Sequence, residues 1–254
     1  MVPLDYRSVE NALSGSRWNK TILTYESIGS TMDRARELAH KRAPEGTLVI
    51  ASEQTEGRGR LDRSWLSPQG SLSVSLLLYP SPEKLPHLSM IAGLAAAEAI
   101  ERVTSLKTDL KWPNDVLING RKVAGILVES GVAHGRNFAV IGIGVNVNLK
   151  LADCPEIATI ATSLSYESGG AVDTPSLLRA LIDRIEKLYL SFDADAILAA
   201  WRSRLVTLGR LVQATSGNSV IEGVAVDVTA DGALIIRQSD GVLCTVVAGD
   251  VPLR

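Results

Sequence analysis

Near Gly209 the hydrophobic pattern of this chain changes period, and that change limits its possible folds more than any other feature. Upstream, strand-like stretches are interleaved with long helical ones. Downstream only short strand-like runs remain, Leu211–Thr215, Val220–Val228, Ala233–Arg237 and Val242–Val247. Gly217-Asn218, Asp231-Gly232 and Asp240-Gly241 separate them, and glycine beside Asn or Asp supplies the positive φ that tight turns need. Segregated patterns of this kind predict an α+β domain over residues 1–206 and a small barrel-like all-β domain over residues 207–254.

Within the first domain, Thr21–Ile28 reads as a strand ended by Gly29, and Ser30 as a helix N-cap with Asp33 three residues on. The helix runs to about Arg42 with Met32, Ala35, Leu38 and Ala39 on one face. Thr47–Ser52 and Ser71–Tyr79 read as strands, and the small residues of Leu88–Val103 suit a helix packed closely on a sheet. Leu106–Trp112 reads as extended. Asn119-Gly120 marks a hairpin over residues 116–123, its second strand continuing to Glu129. A further strand is expected at Phe138–Val147 and helices at Ser176–Phe192 and Ala194–Leu205.

Composition removes several classes of function. With 46% apolar residues in 254 the chain can bury a core, and a net charge of −2 gives no global reason to bind nucleic acid. Cys154 and Cys244 stand about ninety residues apart with no CxxC spacing, and His40, His87 and His134 are dispersed, each expected on the surface or in a loop. No secretory signal is visible at the N-terminus, and the apolar stretch around residues 90–100 is Ala-rich and broken by Glu98, as in a buried helix. A soluble, cytoplasmic protein without membrane contact is the expectation.

The chemistry concentrates in two segments. Glu53-Gln54-Thr55-Glu56-Gly57-Arg58-Gly59-Arg60 begins a loop, residues 55–70, long enough to suggest function. Its glycines let backbone N–H groups face a ligand, and its arginines stay charged and grip phosphate bidentately. Leu110-Lys111-Trp112-Pro113-Asn114-Asp115 places a lysine just before a restricted turn, where it can offset repulsion between anions. Taken singly, each has a plain alternative: a solvated Gly-Arg turn, an exposed strand-end lysine, and turn capping by Asn114 and Asp115. Ser30, Thr31 and Gln54 suit an amide- or urea-bearing ligand, or are simply caps and surface groups.

In order and spacing, these segments resemble the biotin protein ligase family. The match comprises Ser30-Thr31, the run from Glu53 through Arg60 to Arg63 and Trp65, and Lys111 to Asp115. It continues through Arg121-Lys122-Val123-Ala124-Gly125-Ile126-Leu127-Val128-Glu129 and Ile141-Gly142-Ile143-Gly144-Val145-Asn146-Val147-Asn148. The resemblance implies a mixed-sheet catalytic domain of the biotin/lipoate ligase type with an SH3-like C-terminal domain. It implies biotin and ATP as substrates, Mg2+ with the ATP, a biotinyl-5′-AMP intermediate, and transfer to a lysine of a biotin carboxyl carrier protein. Catalytic roles fall on Lys111, Arg58 and Arg60; biotin contacts on Ser30, Thr31, Met32, Gln54, Gly59, Lys111 and Gly125; adenylate contacts on Arg58, Gly59, Arg60, Trp65, Lys111 and Asn146. Met32 replaces a common asparagine and Asp62 a common glycine. Only about twenty residues precede the first strand, which leaves no room for the winged-helix repressor domain of bifunctional members. A homodimer through a sheet edge is compatible with the family. A lipoate ligase and a non-enzymatic biotin-binding module are the competing readings.

Overall fold

Branched and apolar stretches in the first two hundred residues pair into one mixed seven-stranded sheet, seen in a computed structural model that describes residues 5–61, 63–216, 219–247, 249 and 251. Asp62 and the Gly217-Asn218 turn lie outside the described residues. In chain order the elements are α1 (Tyr6–Ala12), β1 (Ile22–Ile28), α2 (Thr31–His40), β2 (Thr47–Gln54), β3 (Ser71–Leu78) and α3 (Leu88–Thr104). Then follow β4 (Asp109–Lys111), β5 (Asp115–Ile118), β6 (Arg121–Ala133), β7 (Arg136–Asn146), α4 (Leu164–Ser168), α5 (Thr174–Leu190) and α6 (Ala194–Ser203). The C-terminal strands are β8 (Leu211–Ser216), β9 (Ser219–Val228), β10 (Leu234–Arg237) and β11 (Leu243–Val246). The large sheet has the order β1-β2-β3-β7-β6-β5-β4, with β1 and β2 parallel and the other pairs antiparallel.

Helices cover both faces of this sheet. Along β2, Leu48 and Ile50 join a core shared with α3, α5 and α6, whereas Val49 points the other way and packs with Met32, Ala35 and Ala39 of α2. The period-two alternation of strand side chains dictates this division. The N-terminal helix α1 has no counterpart in the sequence reading. Asp5 caps it through Ser8 N (2.8 Å), and its Val9 and Leu13, four apart, are fully buried.

The largest boundary difference is at the β6–β7 hairpin. β6 extends past Glu129 to Ala133 and returns as β7 through His134-Gly135, both at positive φ (53° and 75°), the same tight-turn geometry as Asn119-Gly120 (51° and 77°). Histidine is not among the residues that announce such a turn, so the longer hairpin leaves little trace in sequence. His87 is buried rather than superficial: its Nδ1 lies 3.1 Å from Glu83 O and its ring meets Phe192 edge-on.

The four strands between Leu211 and Val246 form a separate antiparallel sheet, β11-β10-β9-β8. It is bolted to the first sheet at Trp112, whose backbone N–H donates to Thr207 Oγ1 and whose indole donates to Gly232 O, both at 2.9 Å. No helix among the described residues is long and apolar enough to cross a membrane.

Candidate functional site

A cavity opens where α2 stops covering the sheet. Along β3 and β7 the residues facing α2 begin as Leu77 and Val140, then shrink to Ser75, Ser73, Gly142 and Gly144 beyond the helix N-terminus. Gly125 of β6 stands beside Gly144, so the bared face is a trough of small residues. The loop from Gly57 to Trp65 folds over it as a narrow hairpin, with Trp65 N donating to Gly57 O (2.8 Å) and Gly59 N to Arg63 O (2.7 Å).

One end of the cavity is neutral and polar. Ser75 Oγ donates to Thr31 Oγ1 (2.8 Å), and Thr31 donates to Gln54 Oε1 from its hydroxyl (3.0 Å) and its backbone N–H (2.9 Å). Gln54 Nε2 in turn donates to Ser73 Oγ (3.1 Å), which meets Ser67 Oγ at 2.8 Å. This chain fixes the orientation of the Gln54 amide, and a fixed amide can discriminate donors from acceptors on a ligand. Met32 lies beside it on the cavity floor, and a Cβ on Gly142 would stand 2.5 Å from its Sδ.

The other end is cationic. Lys111, Lys122, Arg58, Arg60 and Arg63 all line the cavity, with Asp115 the one carboxylate among its described lining residues. Lys111 ends β4 opposite Asp115 on the β4–β5 hairpin, and its ammonium meets no carboxylate among the described residues. Lys122 is held instead, 2.6 Å from Asp115 Oδ1 and 5.0 Å from the Trp65 ring centre. Asn114 braces the turn after the cis Trp112–Pro113 bond by donating to Ile126 O (2.5 Å) and accepting from Ile126 N (2.9 Å).

Behind Lys111, β4 is anchored by Leu110 N donating to Arg204 O (3.0 Å), and Arg204 forks onto Glu101 at 2.8 and 3.1 Å. Burial pushes the Glu101 carboxyl up, but hydrogen bonds from Arg204 and Thr108 outweigh it and hold the group below its ordinary value. Trp65 is seated in the trough against Gly144 and Gly125, its buried indole nitrogen without a hydrogen-bond partner among the described residues.

Of the residues singled out from sequence, Thr31, Met32, Gln54, Arg58, Gly59, Arg60, Trp65, Lys111 and Gly125 converge on this cavity. Two lie apart from its lining. Ser30 is buried and spends its hydroxyl capping α2 at Asp33 N (3.4 Å). Asn146 is buried and donates to Thr162 O at 3.0 Å, its Oδ1 without a partner among the described residues. The reading of residues missed Lys122, Asp115 and Ser73 as cavity residues, and Gly249, which reaches the rim from the C-terminal unit. Lys122 had a signal in its two-residue spacing from Ala124 and three from Gly125; Gly249 had none. Among the described residues no three His, Cys, Asp or Glu side chains are grouped to hold a metal.

Fold and site together define a mixed-sheet domain whose cavity pairs a neutral polar end with a cationic one, followed by a small β unit. Residues 24–148 match the Biotin/lipoate A/B protein ligase family and residues 207–254 match the biotin protein ligase C-terminal domain, an SH3-like unit, and the chain belongs to the biotin protein ligases of that family. It is 38% identical over 229 residues to the bifunctional ligase/repressor BirA of Bacillus spizizenii, covering 87% of this chain and 70% of the relative. It is 33% identical over 262 residues to the biotin–[acetyl-CoA-carboxylase] ligase of Mycobacterium tuberculosis, covering 98% and 95%. Its structure resembles the biotin protein ligase of Aquifex aeolicus in complex with biotin and ATP, with a TM-score of 0.77, 31% identity and coverage of 92% and 99%.

Proposed function

We propose that this protein is a biotin protein ligase that joins biotin to a lysine of a biotin carboxyl carrier domain at the expense of ATP. A biotin carboxylate oxygen attacks the α-phosphorus, the bond to the β-phosphate breaks, and pyrophosphate leaves with the electron pair. The acceptor lysine amine then attacks the acyl carbon of biotinyl-5′-AMP and AMP departs. The observation that carries this reading is the pairing, in one cavity, of an oriented neutral amide chain with a cluster of cations.

Two anions have to meet in the first step, so electrostatic and positional help dominates. Lys111, which meets no carboxylate among the described residues, bridges the biotin carboxylate and the α-phosphate in this proposal. Arg58 and Arg60 hold phosphate oxygens, Gly59 between them keeps that approach free of a side chain, Trp65 packs on the adenylate, and Asn146 supports that end from beneath. Thr31, Met32, Gln54, Gly59 and Gly125 surround biotin, with Ser30 behind them holding the start of α2 and Met32 giving the bicyclic ring an apolar floor. The cavity holds about 140 Å³, against roughly 300–1,000 Å³ for typical small-molecule sites. The Gly57–Trp65 loop therefore opens to admit substrates and closes over the anhydride. Asp115, the one carboxylate of the described lining, would be the residue facing magnesium, which would offset charge on the ATP phosphates. A cytoplasmic location, a homodimer, no nucleic-acid partner and a domain boundary at 206/207 belong to the same proposal.

The test is mass spectrometry of the protein with MgATP and either biotin or lipoate. Biotinyl-adenylate formed with biotin alone, and lost in Lys111→Ala, is expected. Lipoyl-adenylate would transfer the chain to lipoate chemistry, and no adenylate with either would leave a binding module.

A further inference from the structure

Four charged side chains meet beside the rim of the cavity. Asp33 stands in the first turn of α2 and Glu129 on β6, with Arg36 and Arg58 between them. Arg58 Nη2 lies 2.6 Å from Asp33 Oδ1 and 3.4 Å from Glu129 Oε1. Arg36 Nη2 lies 2.5 Å from the same Asp33 oxygen and 3.2 Å from Glu129 Oε2. Two cations and two anions thus balance across a helix, a loop and a strand, and none of the four side chains is more than half exposed. Both contacts of Arg58 use one nitrogen; its Nη1 and Nε meet no acceptor among the described residues, although the side chain also lines the cavity.

A loop arginine that had to be ordered by each incoming ligand would spend binding energy on its own rotamer freedom. An arginine already clamped by one nitrogen would not, and a four-charge network holds it better than an isolated surface pair. We infer that Asp33 and Glu129 are positioning residues for Arg58, fixing its guanidinium at the rim with Nη1 and Nε left to take phosphate oxygens of the nucleotide. This rests on the reading of the cavity as a biotin and ATP site. Asp33 and Glu129 touch no reacting atom; they act through Arg58. Arg36 completes the network, so that the two carboxylates are not left to repel an entering phosphate.

The experiment is a calorimetric cycle with the α,β-methylene analogue of ATP, magnesium and biotin on the wild type, Asp33→Asn, Arg58→Ala and the double variant. Thermal unfolding of each is recorded alongside. Asp33→Asn is expected to weaken the analogue by about threefold to fivefold, the scale of a part-exposed charge pair. That loss should vanish when Arg58 is already alanine, and Asp33→Glu should recover part of it. Glu129→Gln, measured in the same two backgrounds, repeats the comparison should Asp33→Asn unfold. A loss of equal size with and without Arg58 overturns the inference, as does no loss. Tighter binding in Asp33→Asn also overturns it, because the carboxylates would then be competing with phosphate. If the wild type binds no analogue, the reading of the site fails instead; if Arg58→Ala binds normally, the role of Arg58 fails.

Discussion

Gly144→Ala is the sharpest test of how the cavity is built. Gly144 lies in β7, hydrogen-bonded to β3 on one side and β6 on the other, so its backbone cannot retreat. A methyl there would stand 2.4 Å from Trp65 Nε1, 2.5 Å from Cε2 and 2.8 Å from Cζ2. The indole would have to withdraw by about 1 Å to regain ordinary contact near ~3.5 Å. The ring can withdraw only by shifting the loop that carries it, because the Trp65 backbone N–H is bonded to Gly57 O. Overpacking of this kind costs about 1–3 kcal/mol, and replacing a strand glycine returns about 0.5–1 kcal/mol. A net loss of about 1–2 kcal/mol is expected, lowering the thermal midpoint by about 2–8 °C for a chain of this length. Gly142→Ala provides the control, since its methyl would meet the flexible end of Met32 (Sδ at 2.5 Å), which can rotate away, and its midpoint should barely move. Differential scanning calorimetry of both variants, each also made in a Trp65→Ala background, reads the difference. Equal losses for the two glycines, or a Gly144→Ala loss that persists without the indole, would refute the steric argument.

Trp112→Phe removes the indole N–H that reaches Gly232 O across the junction of the two sheets; leaving that carbonyl unpaired should cost about 1–3 kcal/mol, measurable by urea unfolding. Acid should loosen the molecule through Glu101 and Glu167. In Glu167, as in Glu101, burial pushes the carboxyl up, but hydrogen bonds from Thr162 and Asn119 and the charge of Arg121 outweigh it and hold the group below its ordinary value. A depressed carboxyl contributes stability that is complete above its unfolded value and drains as pH falls through the folded one. Unfolding midpoints should therefore decline below the ordinary carboxylate range, and Glu101→Gln with Glu167→Gln should flatten that decline; an unchanged acid profile would refute both roles.

Elements with a sharp period or a strong local signal were legible from sequence alone. The α2 helix begins at its Ser30 cap, and the Asn119-Gly120 hairpin forms where its turn pair stands. The two-part architecture follows the change of pattern near Gly209. The short α1 helix was not legible, because seven residues are too few to be stable alone and the helix is held by Val9 and its C-cap Leu13 packing on a core built from later segments. Nor was the real place of Ser71, Ser73 and Ser75, whose alternation with apolar residues would suit a strand with one face in water. All three are buried, Ser73 and Ser75 bonded into the Gln54–Thr31 chain. Asn146 shows the opposite limit: a motif position shares a strand face with Gly142 and Gly144, yet a later segment covers it.

What sequence spacing cannot express is complementarity between segments, and here that complementarity explains the glycines. Gly57 has no room for a side chain because Trp65 O would lie 2.3 Å from its Cβ; Gly125 and Gly144 accept the Trp65 ring; Gly142 accepts Met32. Each is the imprint of a residue that lies elsewhere in the chain, so the glycines in the loop and those in the sheet are parts of one surface. Freedom of backbone φ is not their reason, since none of the four adopts a positive value. The trough is therefore shaped as much by the loop that closes it as by the strands that floor it. A substitution at Gly125 or Gly144, the floor glycines under Trp65, should be felt first as a displaced loop and only then as a lost ligand contact.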